Sequence, residues 1–93
     1  MRLAEKIIID YISDLELPMW NSIHIERFNQ IAYSRWAAFE ILYLIRQKPD
    51  IPPTILVENF VNKMVDMSLS NKKYSMISCI AYDAAMDILD RLL

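Results

Sequence analysis

Three aspartates, Asp83, Asp87 and Asp90, stand at i, i+4 and i+7 near the end of the chain, a spacing that sets them on one face of a helix. Clustered carboxylates are ligands for hard divalent cations. Such a site also wants further oxygen ligands or a histidine beside it, and the surrounding sequence offers neither. A solvated acidic face is therefore expected, partly offset by Arg91 four residues after Asp87. Arg35, Arg46 or Lys48 could supply further counter-charge. His24 is the single histidine; no serine–histidine–acid or cysteine–histidine pattern surrounds it, so a half-exposed place near a helix start is expected. Cys79 is the single cysteine, set among the apolar and small residues of SMISCIAYDAA, and is expected to be a buried, inert thiol. Lys72-Lys73 could touch a phosphate, although a solvated turn is the expected reading. Taken together these residues define no catalytic apparatus, no cofactor site and no metal site.

The elements that must position them are helices. The 93 residues contain no glycine, so left-handed helix caps and tight hairpin turns lose their usual residue. Chain reversals must rely on Pro, Asn, Ser and Asp, and hairpin-rich β folds become unfavourable. Hydrophobic residues make up 55% of the chain, above the roughly 45–50% usual for soluble domains. A chain this short buries only about 60–65% of its extended surface, so a second subunit would add stability. With 10 basic and 12 acidic residues the net charge is −2. That balance excludes DNA mimicry by bulk charge and gives no general affinity for nucleic acid. The amino terminus MRLAEKIIIDYISDL lacks a secretory core, because Glu5, Lys6 and Asp10 interrupt it, and the cytoplasm is the expected location.

Four helices can be read from apolar periodicity. Leu3, Ala4, Ile7, Ile8, Tyr11, Ile12 and Leu15 follow the i, i+3, i+4, i+7 rule, giving a first helix over about 2–15. Leu17-Pro18 should end it, with Trp20 in a connection and Asn21 or Ser22 as the next cap. The second helix is expected over about 23–48, with a bend or a short separate helix before Asn29, where Ile23 and Ile25 alternate with polar residues. The third starts near Pro52-Pro53 and carries Leu56, Phe60, Met64 and Met67 beside Val57, Val61 and Val65. After a break at Ser68 to Lys73, the fourth spans about 74–92. Its buried stripe is Ile77, Ile80, Ala81, Ala84, Ala85, Ile88, Leu89 and Leu92. The spaced methionines read as core filler.

The second helix contains the run WAAFEILYLI, Trp36 to Ile45, in which Glu40 is the lone charge. Ten residues are about half of what a bilayer requires, and Arg35 and Arg46 close the run at either end. A helix apolar all round must instead be covered by protein on more than one side. Steps of about 100° separate two sides. Ile31, Ser34, Ala38, Ile41, Leu42 and Ile45 form an aliphatic side suited to the core. Phe28, Tyr33, Trp36, Phe39 and Tyr43 lie elsewhere with Glu40 and Gln47, and Arg35 and Arg46 fall at the edge. Aromatics mixed with arginine resemble the composition of binding hot spots. The candidate contact residues are therefore Tyr33, Arg35, Trp36, Phe39, Glu40, Tyr43 and Arg46. The alternative is that another helix of the same chain covers these rings. Glu40 must be hydrated, hydrogen-bonded or paired in either case.

The strings YSRWAAFEIL, IPPTILVENFVNKM and AYDAAMDILDRLL, across about 33–93, are similar in order and style to short uncharacterised all-helical proteins of bacterial phages and other mobile elements. The resemblance implies a cytoplasmic accessory protein, with no activity and no functional residue attached.

The expected molecule is thus a single all-α domain over 1–93, a compact four-helix unit around an aromatic-rich second helix. Its expected role is that of a non-enzymatic protein–protein interaction module, self-associating as a homodimer, with a mobile-element accessory protein or host-protein inhibitor as the setting. A small dimeric DNA-binding transcriptional regulator is the alternative, with Arg27, Lys72 and Lys73 near phosphates. Neither reading involves a membrane, a small-molecule substrate or a cofactor.

Overall fold

A computed structural model describes residues 3–21, 25–70 and 72–93. Within them the chain is all-helical: α1 (Leu3–Asn21), α2 (Ile25–Gln47), α3 (Pro53–Ser70) and α4 (Ser75–Leu92), with a 3-10 turn at Lys72–Tyr74 before α4. The first helix does not stop at Leu17-Pro18. It continues through Pro18 and Trp20 to Asn21. Proline withholds an amide from the Asp14 carbonyl and disfavours the helix by about 3 kcal/mol, a penalty on helical geometry and not a prohibition. Likewise α2 is unbroken from Ile25, because weak β-branched propensities of under about 1 kcal/mol yield to continued helix bonding. Ser22, Ile23 and His24, and the expectations attached to them, lie outside the described residues.

The other boundaries follow local chemistry. The Pro52 carbonyl accepts from the Ile55 and Leu56 amides at 3.0 and 3.3 Å, leaving Pro53 at the first helical position, where its missing N–H costs nothing. The α2–α3 reversal at Pro49-Asp50 is closed by Ile51 N–H donating to the Lys48 carbonyl at 3.2 Å. No described residue has positive φ, so the reversals are made without left-handed backbone. At the other junction α3 runs on to Ser70, past the expected break, and Ser70 Oγ donates back to the Asp66 carbonyl.

Packing joins two helical pairs. α3 lies chiefly along α4 and α2 chiefly along α1, and α2 meets α4 to link the pairs, whereas α2 and α3 touch only lightly. Small residues permit the close approaches: Ala37 and Ala38 on α2, and Ala81, Ala84 and Ala85 on α4, are all buried. Around them Ile8, Ile12, Ile41, Ile45, Val57, Phe60, Met64 and Ile88 complete one core. Ser78 is fully buried in this wall, and its Oγ donates to the Ser75 carbonyl at 3.2 Å, which meets the demand that a buried hydroxyl be hydrogen-bonded. The backbone measures 39 × 33 × 20 Å. Helices pack about 8–10 Å apart, so the thin dimension holds only two layers, and no helix can be surrounded.

Candidate interaction surface

The second helix divides as its sequence indicates. Ile31, Ser34, Ala38, Ile41, Leu42 and Ile45 are all buried, joined by Ala37. Its opposite side faces solvent. Phe28 is 41% exposed, Trp36 39%, Phe39 48% and Tyr43 59%, so intramolecular packing does not cover these rings. α2 packs chiefly on α1 and α4 and only lightly on α3, and its outer arc is left open. The whole chain exposes 6171 Å², against roughly 5,600 Å² expected for a folded monomer of this mass.

The individual side chains have distinct surroundings. Trp36 is anchored on one side by Phe60 of α3, with ring centroids 6.1 Å apart and planes tilted by 53°, a favourable aromatic geometry. Tyr33 is half-buried. The Arg35 guanidinium lies 5.7 Å from the Phe39 ring centre, one helical turn along, so the cation stacks on the exposed aromatic stripe. Glu40 is exposed and meets its charge requirement in water. It borders a groove of about 180 Å³ between α2 and α3, together with Trp36, Lys48 and Lys63 among others. Arg46 turns the other way: its Nε lies 3.9 Å from Glu5 Oε1 of α1. An arginine read from sequence as part of the contact rim is thus engaged within its own chain, a pairing across 41 residues that helical spacing cannot reveal.

The cation beside the acidic row on α4 is Arg91 of the same helix, which also reaches toward α1. Arg91 reaches Asp87 at 3.7 Å and Asp14 at 3.9 Å, and its guanidinium covers the Tyr11 ring at 4.9 Å. Among the described residues no three His, Cys, Asp or Glu side chains are placed to hold a metal ion. Burial raises the Tyr11 hydroxyl above its ordinary pKa of 10.0. Asp87 adds to that, while Arg91 and a hydrogen bond with Ser34 oppose it.

Cys79 departs from expectation. It is exposed, with its Sγ 3.8 Å from Ser68 Oγ, on an open groove of about 420 Å³ between α3 and α4 lined also by Val65, Leu69 and Tyr82. Apolar neighbours in sequence suggest burial, but Ser78 occupies the inward position and turns the next residue outward. The groove itself has one sequence signal, Leu69 between two serines. Of the methionines, Met64 is core and Met76 is exposed. Lys72 and Lys73 are exposed in the turn before α4. No described helix is long and apolar enough to cross a membrane. No family model, curated protein or solved structure matches this chain.

Proposed function

We propose that this chain is a non-enzymatic protein–protein interaction module that self-associates through the outer side of α2. The observation carrying this reading is the row of four solvent-exposed rings, Phe28, Trp36, Phe39 and Tyr43, on one helix of a folded domain. Trp, Tyr and Arg are the commonest anchors of interfaces, and large apolar side chains grouped on the surface of a small domain mark a contact surface. Arg35 stacked on Phe39 adds a cation of the kind enriched at such contacts. If the sequence resemblance to mobile-element proteins holds, the module would serve as an accessory protein that binds and redirects a host protein.

Sedimentation of the purified chain at two concentrations tests the reading. A mass that rises from one copy toward two with concentration is expected. Phe39→Ala combined with Tyr43→Ala should keep the helical circular dichroism of the parent and abolish the larger species. A concentration-independent monomer would exclude self-association. Tight, salt-dependent duplex binding would favour the DNA-binding alternative instead.

A further inference from the structure

We propose that two copies associate in parallel, α2 against α2 about a two-fold axis running along the helices, with Arg35 of each copy opposite Glu40 of the other. This rests on the self-association reading above and adds its orientation. Ala32, Trp36, Phe39 and Tyr43 are separated by four, three and four residues, the spacing that forms the seam of paired helices. All four lie on the outer arc, the three aromatics well exposed and Ala32 partly so. Arg35 and Glu40 are five residues apart, about 140° around the helix, so one stands on each rim of that seam.

The two possible orientations bring different rims together. In a parallel pair each rim meets the opposite rim of the other helix, and a residue meets the one five positions further on, the step by which rim charges choose partner and direction. Arg35 then meets Glu40 of the second copy, twice by symmetry. The same step sets Phe28 beside Tyr33 of the second copy, ring on ring. An antiparallel pair brings each rim against its own kind, cation toward cation and Glu40 toward Glu40, which like-charge repulsion disfavours. The second copy is the occupant because the seam carries its own complement: rings in the middle and opposite charges on its two sides. Lys48 and Lys63 line the groove that Glu40 also borders, and Arg46 lies toward Glu5 of its own chain; Arg35 and Glu40 are the opposite charges that flank the ring seam itself.

Disulfide trapping reads the orientation directly. Cys79 is exposed, so Cys79→Ser supplies the background, and Ala32→Cys and Tyr43→Cys are introduced separately. These positions are about 16 Å apart along the axis, whereas a disulfide needs Cα atoms within about 7 Å. Both variants should form linked dimers with themselves under mild oxidation. If the chain sediments as a dimer but the two variants link mainly to each other, or at most one links to itself, the parallel arrangement is overturned while self-association stands. If the unmodified chain remains a monomer at every concentration, both fall. A charge exchange supplies the second arm. Arg35→Glu and Glu40→Arg should each weaken the dimer about tenfold, and the combined variant should return to within about threefold of the parent. A combined variant as weak as either single one would refute the pairing.

Discussion

The outer side of α4 and the outer side of α2 are built from different residues although both helices belong to the same core. On α4 the side turned away from Ala81, Ala84, Ala85 and Ile88 carries Asp83, Asp87 and Asp90, all exposed. On α2 the side turned away from Ala38, Ile41 and Ile45 carries Trp36, Phe39 and Tyr43. The first arrangement is what hydration favours for a surface helix. The second leaves apolar rings partly in water. What α4 spends its inner stripe on is complete within the chain; α2 has an apolar surplus. On α4, Arg91 lies within ion-pair reach of Asp87 and of Asp14 on α1; on α2, Arg35 stacks on Phe39 and Phe60 takes one side of Trp36, yet the rings stay exposed.

Substitutions can break or sharpen this contrast. The largest effects belong to the inner sides. Ile41→Ala on α2 or Ile88→Ala on α4, both fully buried, should each lower the unfolding free energy by about 2–5 kcal/mol, measured by urea titration. On the outer side of α2, Phe39→Ala with Tyr43→Ala should change monomer stability by less than about 1 kcal/mol. A loss as large as that of Ile41→Ala would place these rings in the core and remove the contrast. The smallest effect is confined to alkaline solution. Tyr11 has a raised folded-state pKa, so the native form favours the neutral phenol. Its contribution is fully present below the unfolded value of 10.0 and is lost as pH climbs through the higher folded value. Tyr11→Phe should therefore flatten the decline of the thermal midpoint above pH 10 and leave its pH dependence near neutrality unchanged.

Periodicity made much of this arrangement legible. Ile31, Ser34, Ala38, Ile41, Leu42 and Ile45 were separable from the aromatic side because burial on a helix follows angle, and every one of them is buried. The proline-started α3 was equally readable, since its first-turn amides need no partner. Three features were not. Whether another helix shelters Trp36 depends on the distance between α2 and α3, and the answer is mixed: Phe60 takes one edge and water the other. The Arg46–Glu5 contact joins two helices whose relative rotation no local pattern encodes. Cys79 faces outward because its neighbour Ser78 satisfies its own hydroxyl along the helix, which lets a polar residue take the interior place that composition assigns to the thiol. Short-range angle is written in the chain; the meeting of distant faces is not.

The backbone's lack of any left-handed residue in the described segments has a practical corollary for mapping this surface. Replacement of a residue at positive φ confounds side-chain loss with a change in chain stiffness. Here that source of ambiguity is missing from the described positions. Outside the four prolines, a systematic replacement by alanine along α2 would report the removed atoms themselves, and a drop in association at any ring could be assigned to that ring.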